Sequence, residues 1–268
     1  MVPISLVDNA STDISVKYIP TIVNRQQARY SYRYMDTKQV VLITGGAKRL
    51  GFAMAQHLLG EGYRVVIHCN TSCKVVEDLG SDCRTVQADL TNREELQTLF
   101  GRAVQCFGQV DHLVNNASVF PSALIEQTTL ELWDEVMTLH NTAPFFLSKA
   151  LYQHIRERGT TGSIVNMVDT KTDAPTASRP AYYISKGALL AQTKTLAVSL
   201  APILRVNAIS PGAVLSNGDE SYFAKMAERL PLKHTGTAFD IVQAAAYLLR
   251  ASFVTGVNLA VDGGQRLL

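Results

Sequence analysis

The run Val40-Val41-Leu42-Ile43-Thr44, followed at once by Gly45-Gly46-Ala47-Lys48-Arg49-Leu50-Gly51, constrains this chain more than any other stretch. A short, unbroken apolar run that ends at glycine has no polar face. It suits a strand covered on both sides, as strands of parallel sheets are. The residues from Phe52 onward have helical apolar spacing and stop at Gly60 and Gly62. Between strand and helix, backbone N–H groups and a helix N-terminus converge, which is where a dinucleotide's pyrophosphate is held. Gly45 permits the tight turn, and Gly51 permits close approach of helix to strand. The spacing is Thr-Gly-x-x-x-Arg-x-Gly, so Arg49 stands where many such loops carry a middle glycine. A glycine turn without a ligand is the competing reading.

The same alternation continues. YRVVIHC, CRTVQADL and VDHLVNNA read as three further strands, with a helix from Asn92 to Phe107 between the last two. The segment from Leu130 to His154 is mostly helical. Strand 163–168, helix 181–200, strand 204–209, helix 238–250 and strand 257–261 complete the series. Strands alternating with helices imply right-handed crossovers and an α/β fold. The expected architecture is a single-domain, doubly wound parallel sheet of the Rossmann type, with helices on both faces, over residues 38–268. Residues 1–37 lack a sustained apolar period and are expected to be a poorly ordered extension, or the product of a start codon placed too early. A targeting peptide is the other reading, against which Asp8, Asp13 and Asp36 count.

Composition narrows the function. A net charge of +2 argues against a dedicated nucleic-acid surface, which shows as a basic patch. No apolar run reaches the roughly 18 residues that cross a bilayer, so no membrane partner is expected. Cys69, Cys73, Cys83 and Cys106 form no disulfide framework and no Cys-x-x-Cys spacing. His68 with Cys69 and Cys73 could suggest zinc, but reduced, half-buried thiols in a cytoplasmic protein are the expectation, with no metal site. His140, His154 and His234 carry no ligand spacing and receive no role.

The end of the second strand bears on the cofactor. NAD binders place an acid there to hold the ribose hydroxyls. This chain has His68-Cys69-Asn70-Thr71-Ser72 and no carboxylate before Glu77. Hydroxyls at Thr71 and Ser72, with Lys48 or Arg49 nearby, suit a 2′-phosphate and therefore NADPH. Asp89 either accepts a bond from the adenine amino group or caps the following helix.

The chemistry is expected around residues 165–190. Asp169 follows a strand, and Tyr182 and Lys186, four apart, share one face of a helix. A phenol with a pKa of about 10 is a poor acid–base group at neutral pH. An ammonium beneath it is expected to lower that pKa and make Tyr182 a usable proton donor.

Taken together, the glycine loop, Asn115-Asn116-Ala117-Ser118, Asn141, Tyr182/Lys186 and Asp262-Gly263-Gly264 resemble the short-chain dehydrogenases/reductases, from about residue 39 to the C-terminus. The resemblance implies that Asn115 and Asn116 brace the sheet beside the cofactor. It further implies that Asn141 holds Lys186 through a water and that Pro211-Gly212 passes the nicotinamide carboxamide. The implied catalytic set is Asp169, Tyr182, Lys186 and Asn141. The implied cofactor site comprises Gly45, Lys48, Arg49, Leu50, Gly51, His68, Thr71, Ser72, Asp89, Leu90, Asn116, Ala117, Ser118, Met167, Tyr182, Lys186, Pro211 and Gly212.

One departure is informative. Family members usually carry a serine thirteen residues before the tyrosine, where this chain has Asp169. A carboxylate would repel an oxyanion formed from a ketone. It suits reduction of a ring C=N, where protons go to nitrogen and exocyclic N–H groups need acceptors. The same Asp, the TGGAKRLG loop, Ser118 and Phe120 in NNASVF, and RVVIHCNTS resemble the pteridine reductases, and the C-terminal region is similar to dihydromonapterin reductases.

That branch implies an NADPH-dependent reductase acting on a pterin or folate (dihydromonapterin, dihydrobiopterin or dihydrofolate). Its substrate would lie against Arg49, Ser118, Phe120, Asp169, Tyr182 and Leu215, stacked on Phe120. Phe120 in simple loop packing and Arg49 confined to phosphate are the plainer alternatives. A 3-oxoacyl thioester reductase is the competing enzyme, and a non-catalytic NADPH-binding regulator is the competing class. Residues 217–232, with a helix over 219–230, are expected to form a substrate lid. The family resemblance further implies a homotetramer, with a homodimer as the smaller alternative, packed through helices 141–158 and 181–200.

Overall fold

The computed structural model describes residues 38–71, 73, 79–215 and 220–268. The expectations for residues 1–37, for Ser72 and for a helix beginning at Asp219 lie outside them.

Seven strands form one parallel sheet among the described residues: β1 (Val40–Ile43), β2 (Arg64–Cys69), β3 (Cys83–Gln87), β4 (His112–Asn115), β5 (Gly162–Met167), β6 (Leu204–Pro211) and β7 (Asn258–Val261). Their order is β3-β2-β1-β4-β5-β6-β7. The chain winds outward from β1 to β3, then returns to lay β4 on the other side of β1, with Leu42 paired to both Val66 and Leu113. That reversal leaves a crevice at the carboxyl ends of β1 and β4, where ligands of such sheets bind.

The helices are α1 (Arg49–Gly60), α2 (Arg93–Phe107), α3 (Leu130–Met137), α4 (Ala143–Arg158), α5 (Pro180–Ser199), α6 (Glu220–Arg229) and α7 (Ala238–Arg250). All four residues of β1 are fully buried. Val41 and Ile43 pack with Met54 and Leu58 of α1 and Ile241 and Leu248 of α7. Val40 and Leu42 point the other way, into Leu99 of α2, Leu147 and Leu151 of α4 and Leu196 of α5. Two covered faces are why the strand reads as a continuous apolar run. Each such Leu or Ile contributes roughly 1.5–3 kcal/mol by leaving water.

The helical stretch before β5 is broken in an unexpected way. Between α3 and α4, residues Thr138–Thr142 form a π-turn. Its i→i+5 bonding admits an extra residue, which changes the positions that face the sheet.

The amino end of the sheet holds a polar cluster. Asp111 Oδ2 accepts from the Val40 backbone N–H at 2.8 Å, and its Oδ1 accepts from Arg158 Nη1 at 2.8 Å. His112 Nδ1 lies 2.8 Å from Ser163 Oγ, and that hydroxyl donates to the Leu249 carbonyl at 3.2 Å. The ring proton is therefore on Nδ1. Burial pushes the His112 pKa down to about 4, with the Arg205 charge acting in the same direction and Asp111 opposing.

One cysteine expectation is corrected. The Cys69 and Cys73 sulfurs are paired, their Cα atoms 5.8 Å apart, a separation within disulfide range. Cys83 and Cys106 are the free thiols among the described residues. The four-residue span carries no framework pattern, and the end of β2 has to turn before the two sulfurs meet.

Candidate active site

A cavity of about 820 Å³ opens at the carboxyl ends of the strands. Its floor is the glycine loop. Gly45 has φ of 61°, and a Cβ there would stand 2.9 Å from Ala117 Cα. At Gly51 a Cβ would stand 2.4 Å from the Gly45 carbonyl oxygen and 2.7 Å from Asn116 Nδ2. Only glycine fits at either position. Asn116 Nδ2 donates to the Thr44 and Gly45 carbonyls at 2.9 and 3.1 Å. The Asn116 and Ala117 backbone N–H groups donate to Thr44 Oγ1 at 2.9 and 3.0 Å. The loop is thus stitched to the end of β4 before any ligand arrives.

Lys48, Arg49 and Leu50 line the same wall. Arg49 has φ of 50°, a left-handed conformation that costs a non-glycine residue roughly 1–2 kcal/mol. Strain of this kind gathers at functional positions. Asn70, Thr71, Asp89 and Leu90 line the far end of the cavity.

His68 also lines it, but with both ring nitrogens engaged. Its Nδ1 accepts from the Gly45 N–H at 3.2 Å, and its Nε2 donates to the Ala88 carbonyl at 2.9 Å. Burial lowers its pKa, so it is a neutral brace for the glycine loop rather than a cation for phosphate. The helix-cap reading of Asp89 is replaced. Asn92 caps α2, accepting from the Glu94 and Glu95 N–H groups, while Asp89 Oδ1 accepts from the Thr91 N–H and hydroxyl.

At the other end the reacting side chains meet. The end of β5 delivers Met167 and Asp169, and the first two turns of α5 deliver Tyr182 and Lys186. The Tyr182 hydroxyl donates to Asp169 Oδ2 at 2.9 Å. Asp169 Oδ1 accepts from the Lys171 backbone N–H at 2.7 Å, which fixes the carboxylate. Lys186 is 2% exposed, and its Nζ donates to the Met167 carbonyl at 2.8 Å.

The expected acidification of Tyr182 by Lys186 is corrected here. Burial, and then the Asp169 carboxylate, raise the tyrosine pKa far above its ordinary value. The hydroxyl is a firmly held neutral donor. Lys186 is itself pushed down to about 8 by burial, against the opposing pull of Asp169.

Ser118, Val119 and Phe120 form a strap on the facing wall. The Phe120 ring stands edge-on to Tyr182, 4.6 Å between centroids, with the Arg179 guanidinium 4.1 Å over it. Pro211 at the end of β6, and Gly212 and Leu215 after it, line the cavity, and Phe223 of α6 reaches it from the expected lid. Gly212 packs so closely on Asp262 that a Cβ would meet Asp262 Cα at 2.6 Å.

Asn141 lies in the π-turn, next to His140. It does not line the cavity; its Nδ2 donates to the Ser185 carbonyl at 3.1 Å. His140, given no role by the sequence, is the side chain that reaches the strap, with Nε2 3.0 Å from Ser118 Oγ. His140 belongs to the π-turn, and no residue pattern announces a π-turn. Among the described residues, no group of three or more His, Cys, Asp or Glu is arranged for a metal ion, and no helix is long and apolar enough to cross a membrane.

Comparison with known proteins places this geometry. A family model described as enoyl-(acyl carrier protein) reductase matches residues 45–266. The chain belongs to this short-chain dehydrogenase/reductase family of oxidoreductases. It is 34% identical over 241 residues to a protein described as a ketoacyl reductase of the granaticin polyketide synthase from Streptomyces violaceoruber, covering 85% of this chain and 96% of that one. It is 33% identical over 251 residues to 3β-hydroxysteroid dehydrogenase 1 from Eggerthella lenta, covering 87% and 96%. Among solved structures, FolM alternative dihydrofolate reductase 1 from Brucella canis, complexed with NADP, superposes with a TM-score of 0.80 at 32% identity, covering 86% of this chain and 95% of that one.

Proposed function

We propose that the chain is an NADPH-dependent reductase of a pterin, of the dihydromonapterin, dihydrobiopterin or dihydrofolate type. The observation that carries this reading is the Asp169 carboxylate 2.9 Å from the Tyr182 hydroxyl. An anion there opposes the negative oxygen of a ketone reduction and suits a substrate rich in N–H donors. The likeness to an alternative dihydrofolate reductase supports it.

The residues fit the cofactor. The glycine loop is preformed, no acid follows β2 at Asn70 and Thr71, and Lys48 and Arg49 offer cations beside it. When bound, NADPH supplies the hydride for the C=N carbon. Lys186, buried and charged below about pH 8, holds a positive charge beneath the reacting centre. Tyr182 delivers its proton to the ring nitrogen. Asp169 accepts that hydroxyl's hydrogen bond in the free enzyme and, once the substrate nitrogen takes the bond over, offers its acceptors to exocyclic N–H groups. Phe120 supplies the aromatic wall for the substrate ring. The apolar Phe145 and Phe146 of α4, and Ile184 and Val198 of α5, are solvent-exposed in one chain, which supports a homotetramer packed through these helices.

Following NADPH consumption with a dihydropterin, dihydrofolate and a 3-oxoacyl thioester tests the reading. Dihydropterin is expected to be preferred at least roughly tenfold in kcat/KM, and Asp169→Ser to lower its turnover by roughly 100-fold. Preference for the thioester, or an unaffected Asp169→Ser variant, would sink it. The identities to a ketoacyl reductase and a steroid dehydrogenase favour carbonyl reduction as the second reading.

A further inference from the structure

His140 is a buried titratable group beside the site that the chemistry above leaves unused. It is 1% exposed, within the π-turn Thr138–Thr142 and directly behind the reacting side chains. Its Nδ1 lies 2.8 Å from Ser185 Oγ. Its Nε2 lies 3.0 Å from Ser118 Oγ and 3.3 Å from the Val119 backbone nitrogen. A backbone N–H can only donate, so Nε2 carries the lone pair and the ring proton sits on Nδ1. Nδ1–H then donates to Ser185 Oγ, and the Ser185 hydroxyl donates to the Tyr182 carbonyl at 2.7 Å.

The contacts run from one wall of the cavity to the other. Val119 N–H and Ser118 belong to the strap that carries Phe120. Ser185 belongs to α5, between Tyr182 and Lys186. The His140 ring also stands edge-on to Tyr182, at 5.6 Å, as Phe120 does at 4.6 Å. Burial, with the Lys186 charge adding to it, drives the His140 pKa down to about 2, so the neutral tautomer persists at any working pH.

We propose that His140 is a positioning residue: a neutral, Nδ1-protonated imidazole that ties the Ser118–Phe120 strap to the α5 turn carrying Tyr182 and Lys186. The spacing between the aromatic wall and the proton donor is set by this ring. The inference rests on Tyr182 acting as the donor, whichever substrate is reduced. Loosening reacting groups by about 1 Å can cost roughly 100-fold in rate.

Two kinds of measurement test it on the full chain. In ¹⁵N NMR, His140 is expected to show a protonated Nδ1 and an unprotonated Nε2; a protonated Nε2 or an imidazolium at neutral pH would overturn the proposal. In steady-state kinetics, His140→Leu is expected to lower kcat roughly 10- to 100-fold with the KM for NADPH within about twofold, because the glycine loop is untouched. Gln, whose amide oxygen can reach the Val119 N–H, and Asn, whose amide nitrogen can reach Ser185, are each expected to restore part of kcat. Ser185→Ala is expected to lower kcat alone and to add little in the His140→Leu background. Unchanged kcat in a folded His140→Leu variant, or equal loss in Leu, Gln and Asn, would overturn the role. If the wild type reduces neither dihydropterin nor 3-oxoacyl thioester, the proposed function fails, and the NMR result still decides the ring's placement.

Discussion

Two buried histidines mark the two ends of the sheet, and they are put to different uses. His112, at the amino end, and His140, at the carboxyl end, are both neutral, and both place Nδ1 2.8 Å from a serine hydroxyl. They differ at the second nitrogen. His112 Nε2 is buried with no hydrogen-bond partner, whereas His140 Nε2 engages the backbone and side chain of the strap. The polar cluster at the amino end closes on itself through Asp111, Arg158 and backbone groups. At the carboxyl end, Asp169, Tyr182 and Lys186 are held just as firmly but line a cavity. A buried polar cluster is therefore not by itself a site; what matters is whether its groups face a space that a ligand can enter.

The sharpest way to break the comparison is a pair of substitutions. Tyr182→Phe should reduce kcat by roughly 1,000-fold, within the usual range for a lost general acid, with the melting temperature nearly unchanged. Asp111→Ala should do the reverse. It removes a carboxylate that holds Arg158 and the Val40 N–H, and should cost about 3 kcal/mol of stability in denaturant unfolding while kcat of the folded fraction stays within about twofold. A Tyr182→Phe enzyme of near-normal rate, or an Asp111→Ala enzyme of normal stability, would erase the distinction.

Acid titration of stability probes the amino end more gently. The folded-state pKa of His112 lies below the unfolded value, so the unfolded chain binds the proton more readily. Its contribution is complete above about pH 6.5 and is lost as pH falls toward about 4. His112→Gln should flatten that part of the pH–stability curve by about 3 kcal/mol; equal slopes for the two proteins would refute it.

The smallest expected effect is at the glycine loop. Arg49→Gly relieves the left-handed backbone at φ 50° and removes a cation. The KM for NADPH should rise roughly tenfold, with stability unchanged or higher by about 1 kcal/mol at most. An unchanged KM would confine Arg49 to the surface.

The architecture was legible because each strand is covered on both faces. VVLI is a continuous apolar run and RVVIHC a largely apolar one, as strands of a parallel sheet between helix layers are, and all seven strands lie within a few residues of their expected limits. The cap of α2 was not legible: Asn92, not Asp89, accepts from the Glu94 and Glu95 N–H groups. Asp169 could be recognised as a departure from a family pattern. Its bond to Tyr182 could not, because it depends on where β5 ends relative to the first turn of α5.

Local sequence thus determined the strands and helices, the doubly wound class, the glycine loop and the family, since apolar patterning, turn chemistry and helix periodicity are short-range properties of the chain; the strand order came with the tertiary structure. Tertiary structure decided the electrical state of the site. Burial and the facing carboxylate hold Tyr182 protonated, burial lowers Lys186, and His140 of the π-turn reaches the strap. Those outcomes depend on desolvation and on side chains that lie up to 45 residues apart, and no local pattern encodes them.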